Sequence, residues 1–435
     1  MKIAVMLRHF EQKEGGVKVY TKNVLPLLFS LAPHHTFVLL YQNPELIGTY
    51  REYSNVEEVC VRLAGSVTWD QIAVPWVARR YHVDLIFNPK FTVPLLGKAK
   101  KVFVLHGSEW FVIKEQFLWY DRIYLKYAVP VYFRFANAII AVSHAVKRDA
   151  VKAMAVSEEK VAAIQNGFDP AVFRVIEDRD RLRRVATTYV LPERFILWVG
   201  QIESRKNIGR LLQAFARIKD RIPHQLVLAG EQRFSFPMAA GAARDLKLIE
   251  DLGLKDRVHF TGWIPHEDLA AVYTLADLFA FPSLHEGFGI PLLEAMACAC
   301  PILTANTCAP PEVVGEAGFL VDPLSVDDIA AGMLEALTNN SLRETKVAHG
   351  LQRVRNFSWE KCASEILALF ETLAYPASRW QETPVVARQS SGPPHANFSL
   401  ANHLTASRCT PVRERWPRRP AAALPLRLHG RSRSR

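Results

Sequence analysis

Short apolar runs punctuate the chain from its first residues, separated by longer stretches in which apolar and polar positions recur at helical spacing. The first part holds such runs at Lys2 to Leu7, Thr36 to Gln42, Val56 to Leu63, Asp84 to Asn88, Lys101 to His106, Ala138 to Ser143 and Val161 to Gln165. Most are too short and too continuously apolar for helices, so each is predicted to be a strand buried on both faces. Between them, Gly16 to Ala32, Thr68 to Tyr81, Phe117 to Phe135 and His144 to Ala153 are predicted as helices. This alternation predicts a mostly parallel sheet covered on both sides.

After a charged, strand-free interval from Glu177 to Arg184 the same pattern restarts, at Phe195 to Gly200, His224 to Gly230, Val258 to Gly262, Leu278 to Pro282, Pro301 to Ala305 and Gly318 to Asp322. Asn207, Pro265, Pro291, Pro310 and Ser325 are residue types suited to opening the helices between. The fold class expected is therefore α/β, with two doubly wound Rossmann-like domains, residues 1–185 and 186–357, facing one another across a cleft. A hinge is expected near residues 178–192. A final helix, Trp359 to Ala374, occupies residues 358–375. Residues 376–435 lack apolar periodicity and hold eight of the 26 prolines, which predicts a disordered, dispensable tail.

Composition narrows the partners. The net charge of +11 suggests nucleic acid, but eleven arginines against Glu382 and Glu414 put +9 of it in residues 376–435, leaving +2 on the folded body. No basic face for nucleic acid is expected there. No apolar run approaches the roughly 18 residues of a membrane-spanning helix. The first run meets Arg8 and His9 at once and is expected to be a strand, not a leader. Six cysteines are scattered, with only Cys298 and Cys300 close together, so reduced thiols in a cytoplasmic protein are expected rather than a zinc site. Trp110 to Phe135 carries ten of the 45 aromatic residues with Lys114, Arg122, Lys126 and Arg134. That stripe suits either packing of a first-domain helix or peripheral contact with a membrane's inner face.

Open α/β sheets bind ligands outside the carboxyl ends of their strands. At one such end lies Ser283-Leu284-His285-Glu286-Gly287-Phe288-Gly289-Ile290-Pro291, followed by Glu294. Gly287 and Gly289 allow close backbone approach, and the free N–H groups of a proline-opened helix suit a diphosphate. Carboxylates beside phosphate repel it, so Glu286 and Glu294 should face neutral hydroxyls such as those of a ribose and a hexose. Taken alone, they could equally be a solvated loop acid and an ordinary acid of a first helical turn. At another strand end, Gly200 leads to Arg205 and Lys206, two cations able to neutralise a diphosphate through charge-assisted bonds.

These motifs, with Asn166-Gly167-Phe168-Asp169 and Gly15-Gly16, resemble the retaining glycosyltransferases of family 4, of GT-B fold, from Met1 to about Leu373. The resemblance implies that Glu286 contacts the donor sugar, Glu294 the ribose, and Arg205 with Lys206 the diphosphate. It implies too that the final helix packs back on the first domain. Gly15-Gly16-Val17 becomes a turn against which substrate lies, although it is equally a simple tight turn. His106, at a strand end, is expected near the donor sugar. Gln201 stands where many members have a further arginine, which leaves GDP-mannose, dTDP-rhamnose and UDP-hexoses all open as donors. The expected reaction is transfer, with retention, to a glycan or lipid-linked acceptor in cell-surface polysaccharide synthesis. Gly15, Gly16, Arg205, Lys206, Glu286, Gly287, Phe288, Gly289 and Glu294 would bind the donor, with His106, Arg205, Lys206 and Glu286 serving the reaction. No cofactor is expected, and no metal, because side chains supply the cations. The rival readings are an epimerase of the same fold or a non-catalytic sugar-nucleotide binder.

Overall fold

The computed structural model describes residues 1–11, 15–109, 119–230 and 247–374. Every predicted run within it is a strand. β1 (Lys2–Met6), β2 (Thr36–Tyr41), β3 (Val56–Cys60), β4 (Leu85–Asn88), β5 (Lys100–Leu105), β6 (Ala138–Ala141) and β7 (Val161–Ala163) form a parallel sheet of order β3-β2-β1-β4-β5-β6-β7. β8 (Phe195–Val199), β9 (Gln225–Ala229), β10 (Val258–Gly262), β11 (Leu278–Phe281), β12 (Ile302–Ala305) and β13 (Gly318–Val321) form a second, of order β10-β9-β8-β11-β12-β13. Every strand pairing among the described residues is parallel, with Ile3 opposite both Phe37 and Leu85 in the first sheet and Phe279 opposite Leu197 and Ile302 in the second. Burial on both faces is why these strands read as continuous apolar runs.

Several strands end a residue or more before the run does. Leu7, Ser143 and Gly230 lie just past the strands, Leu7 and Gly230 still donating to the Leu40 and Gly262 carbonyls, and Leu7 and Ser143 remain fully buried. The helices follow the same logic. α1 (Gly16–Leu31) buries Tyr20, Val24, Leu25 and Leu28 along one face. The helix expected at Thr68 to Tyr81 is interrupted: a π turn, Trp69–Ala73, precedes α2 (Val74–Arg80). Pro75, with no N–H to donate, sits at the start of α2. α3 (Trp119–Phe135) buries Val129, Tyr132 and Phe133, and α4 (His144–Met154) is capped by Ser143, whose hydroxyl accepts from the Val146 N–H at 3.0 Å.

The charged interval proves to be helical. α5 (Arg179–Thr188) is capped by Asp178, which accepts from the N–H groups of Asp180 and Arg181, and only Val185 is buried. Its lack of an apolar face concealed it. In the second unit α6 (Ile208–Ile218), α7 (His266–Leu275), α8 (Ile290–Ala297), α9 (Pro310–Val314), α10 (Val326–Thr338) and α11 (Asn340–Arg353) cover the sheet. α5 is fastened to α7 by Tyr189, whose hydroxyl donates to Asp268 at 2.8 Å.

α12 (Trp359–Ala374) returns to the first sheet. Trp359, Cys362, Ile366 and Phe370 form its buried stripe, with Trp359 edge-on to Tyr20 of α1 and Phe370 edge-on to Phe87 of β4. Its start is gripped by the loop after β7, where a β-carbon on Gly167 would lie 2.2 Å from the Trp359 nitrogen. The predicted tail, 376–435, lies outside the described residues, as does 110–118 of the aromatic stripe.

The Gly167 contact gives a prediction. Gly167→Ala forces backbone against backbone, and overpacking of this kind typically costs about 1–3 kcal/mol. The variant is expected to melt several degrees lower in calorimetry, and a melting temperature equal to the wild type would show that α12 is not held there.

Candidate active site

The site begins where β8 ends. Gly200, with φ at +150°, turns the chain into a loop that closes in a short 3-10 turn, Ser204–Lys206. Asn207 follows in the left-handed region, φ 61°. Its side chain does not cap α6. Instead Nδ2 donates to the carbonyls of Pro282 (2.9 Å) and Pro323 (2.6 Å), tying the loops after β8, β11 and β13 together. The Leu284 N–H adds a bond to the Arg205 carbonyl at 2.8 Å.

This frame brings three of the predicted residues into direct contact. Lys206 Nζ donates to Glu286 Oε1 at 2.7 Å, and Arg205 Nη1 donates to Oε2 at 3.1 Å. Arg205 Nε also lies 3.3 Å from Glu203, and the Lys206 ammonium sits 4.5 Å over the Phe281 ring. Glu286 is only 6% exposed, so it is no solvated loop acid. Burial alone would raise its pKa, but Lys206 and then Arg205 outweigh that and bring it down to about 2. Burial pulls the Lys206 pKa down while Glu286 holds it up.

The Glu286 loop reaches the first sheet. A β-carbon on Gly287 would stand 1.8 Å from the His106 carbonyl, so only glycine fits this approach. Ser143 Oγ donates to the Gly287 carbonyl at 2.7 Å. His285, fully buried, lies 3.1 Å from Ser108 Oγ, which donates to Asp149 at 2.5 Å. Burial opposes a charge on His285, but Asp149 and Cys308 prevail and raise its pKa to about 9. Glu312 of α9 accepts from the N–H groups of His144 and Ala145 at the start of α4, and from Gln165. His106 Nε2 donates to the Pro89 carbonyl at 2.7 Å, and burial lowers its pKa to about 4, leaving it neutral.

The remaining predicted residues are placed differently. Gly15 and Gly16 are exposed at the start of α1, and a β-carbon on either would meet nothing within 4 Å. Neither packing nor φ requires glycine there, which leaves open space beside the helix start. Gly289 caps α8 with φ +94°, a conformation that favours glycine, and Pro291 follows inside the first turn. Phe288 points into the core, edge-on to Phe357 at 5.9 Å, so its side chain anchors the loop. Glu294 is also buried but stands apart from the cations: its partner is Tyr273, whose hydroxyl donates at 3.2 Å. Burial, partly offset by Tyr273, raises its pKa to about 7. Sequence reasoning passed over Asp149, Ser108, His285, Glu312 and Tyr273. His285 beside the Glu286 motif was the available signal; the others meet the site only through tertiary contacts.

Among the described residues, the one grouping of three or more His, Cys, Asp and Glu within ligating reach of each other is His34, His35 and Glu371. His34 and His35 precede β2 and Glu371 lies on α12, so the group stands at the opposite end of the first sheet from the strand ends that build the site.

Two parallel α/β units whose strand ends meet at a buried carboxylate and two cations define the class: the GT-B glycosyltransferase fold. A glycosyltransferase structure from Rickettsia africae ESF-5 superposes with TM-score 0.69 at 17% identity, covering 86% of this chain and 99% of that one. Residues 15–172 match the family model described as Glycosyltransferase Family 4, and residues 183–350 the model described as Glycosyl transferases group 1. The chain belongs to the family 4 glycosyltransferases. Curated relatives include O-antigen chain mannosyltransferase B of Escherichia coli, 36% identical over 41% of this chain and 46% of the relative. Another is the serotype-specific mannosyltransferase WbdA of E. coli, 34% identical over 53% of this chain and 28% of the relative. The matches thus span less than half the length of these relatives.

Glu294 supplies a pH prediction. Its folded pKa is raised above the unfolded value, so stability from the neutral form is complete below the unfolded pKa and is lost as pH rises through about 7. Glu294→Gln should remove that loss and be more stable at pH 8, by on the order of 2–3 kcal/mol, while matching the wild type near pH 4. Melting curves across this range check it; a difference that does not vary with pH would contradict the assignment.

Proposed function

We propose that the chain transfers a hexose from a nucleotide sugar to a glycan or lipid-linked acceptor with retention of configuration. The observation that carries this reading is Glu286, buried and ionised between Arg205 and Lys206 where the carboxyl ends of the two sheets meet. A donor diphosphate would take over the two cations, which strengthen their hold as the leaving group gains charge. Glu286, relieved of them, would accept bonds from sugar hydroxyls. The free N–H groups at the start of α8 add to the electrostatic stabilisation of the diphosphate.

Glu286, turned to the sugar hydroxyls, would lie beside the sugar and not beneath the anomeric carbon, which favours attack on the same face assisted by the departing phosphate. The charge is met by side chains, so the proposed reaction proceeds without a metal ion and should survive chelation. His106, neutral and abutting Gly287, would lie against the sugar, and Glu294 with Tyr273 against the ribose. Because the curated relatives are named mannosyltransferases, GDP-mannose is the first donor to test, followed by dTDP-rhamnose and UDP-hexoses.

On the acceptor side, α3 exposes Ile123, Tyr127 and Phe135 beside Arg122, Lys126 and Arg134. That face suits peripheral contact with an anionic membrane bearing a lipid-linked acceptor. No helix among the described residues is long and apolar enough to cross a membrane.

The test is a comparison of four variants. Arg205→Gln and Lys206→Gln should each lower turnover by roughly 100-fold or more, because they remove stabilisation made in the transition state. Glu286→Gln should impair transfer yet tighten nucleoside diphosphate binding, since it frees both cations. Glu294→Ala should mainly weaken nucleotide binding. Initial rates beside calorimetric titration of the nucleoside diphosphate read all four, and wild-type rates throughout would overturn the reading.

A further inference from the structure

We infer that Arg8 and Lys90 form a subsite for an anionic group, phosphate or carboxylate, carried by the acceptor; the acceptor part of this inference rests on the transferase reading above. The two cations occupy a particular place in the first sheet. From β1 the chain proceeds to β2 and β3 on one side, then returns to β4 and continues outward on the other. The topological switch point therefore lies between β1 and β4, where open α/β sheets leave a crevice for ligands. Arg8 follows β1, Lys90 follows β4, and His106 follows β5, the next strand.

The loop bearing Lys90 is built rather than loose. Asn88 Nδ2 donates to the Thr92 carbonyl (2.7 Å) and hydroxyl oxygen (2.9 Å), and Asn88 Oδ1 accepts the Lys90 N–H at 3.0 Å. Thr92 in turn donates to Asp70 Oδ2 at 2.8 Å. The other Asp70 oxygen lies 3.8 Å from Arg8 Nε, beyond hydrogen-bond reach, and Arg8 Nε is buried with no hydrogen-bond partner. No carboxylate among the described residues lies within ion-pair distance of Lys90. Two half-buried cations thus share one carboxylate, which is itself engaged by Thr92 and raised in pKa by burial.

The surrounding groups register the surplus. His9, beside Arg8, is driven down to about 3 by burial and then by Lys90, His106, Arg8 and Lys18. His9 Nε2 is engaged with Thr21 Oγ1 at 3.0 Å. A neutral sugar would leave this positive charge uncompensated, whereas an anion bridging Arg8 and Lys90 would satisfy it. The His106 bond to the Pro89 carbonyl joins the Lys90 loop to the backbone against which Gly287 lies, so the crevice adjoins the proposed donor site from the first-domain side.

The experiment is calorimetric titration of the full chain with inorganic phosphate and, separately, with acetate. Each is run with and without a saturating amount of whichever of GDP, UDP or dTDP binds. The expected result is that an anion binds with the nucleoside diphosphate already in place. Arg8→Gln and Lys90→Gln should each weaken it by at least about tenfold, as loss of a charge-assisted bond does. Arg8→Lys should retain part of the affinity. Asp70→Asn should tighten binding, a gain that damaged folding could not produce, and nucleoside diphosphate affinity should be unchanged in all of them. Preference for phosphate over acetate would assign a phosphorylated acceptor, and the reverse an acidic sugar. Displacement of the anion by nucleoside diphosphate would return the cations to the donor's own diphosphate and overturn the proposal. So would wild-type affinity in the variants, or no binding of either anion. Failure of transfer with every donor, beside an intact anion site, would instead sink the transferase reading alone.

Discussion

A carboxylate withdrawn from water costs several kcal/mol unless oppositely charged groups meet it with good geometry. Glu286 is such a carboxylate, and much of the second unit's cleft side follows from supplying its partners. The cations stand on the loop after β8 and the acid on the loop after β11, strands that are neighbours in the sheet. To bring Nζ and Oε1 to 2.7 Å, the first loop must turn sharply, which Gly200 and left-handed Asn207 accomplish. Gly230 matters for the same reason, since a β-carbon there would fall 1.8 Å from the Gly200 carbonyl. Asn207 then bonds the loops of three strands, so the ion cluster is held by backbone carbonyls and not by its own attraction alone.

The contacts between the two sheets' loop ends differ in kind from those that join the units elsewhere. Across the cleft they are polar: Ser143 to Gly287, Ser108 to His285, and Glu312 to the start of α4. The Ser143 bond is an ordinary one, contributing about 0.5–1.5 kcal/mol, while those of Glu312 and His285 involve charged groups and contribute about 1.5–3 kcal/mol each. Behind the cleft the joins are apolar, with Trp359 against Tyr20 and Phe370 against Phe87. The two sheets are thus joined by polar contacts at the front of the cleft and by apolar ones at its back.

The strands were legible because burial on both faces writes an unbroken apolar run, and the cluster was legible because glycines, cations and acids sat beside strand ends. What stayed hidden had no local signal. α5 has one buried residue, so no period marked it, and the Asp178 cap alone did not distinguish it from a charged linker. The π turn before Pro75 depends on how Trp69 packs. Phe288 reads as part of a binding motif but is spent on Phe357, because its direction is set by a connecting segment many residues away. Asp149, Glu312 and Tyr273 acquire meaning only from partners that the fold brings across the cleft or between helices.

The two halves of the cleft hold their charge in opposite ways. On the second unit Arg205 and Lys206 are already occupied by Glu286, and Arg205 also by Glu203. Any diphosphate arriving there must compete with a buried carboxylate for its cations, and success leaves that carboxylate short of partners. The hydroxyls of an intact donor's sugar would restore those partners, whereas a departing nucleoside diphosphate has none to offer. Under the proposed function, the pairing of Glu286 with Arg205 and Lys206 would therefore favour the full donor over the product. On the first unit Arg8 and Lys90 share only Asp70, so an anion there neutralises charge without displacing an internal partner. In the proposed reading, exchange on one wall and neutralisation on the other would let donor and acceptor be recognised without competing for one set of cations.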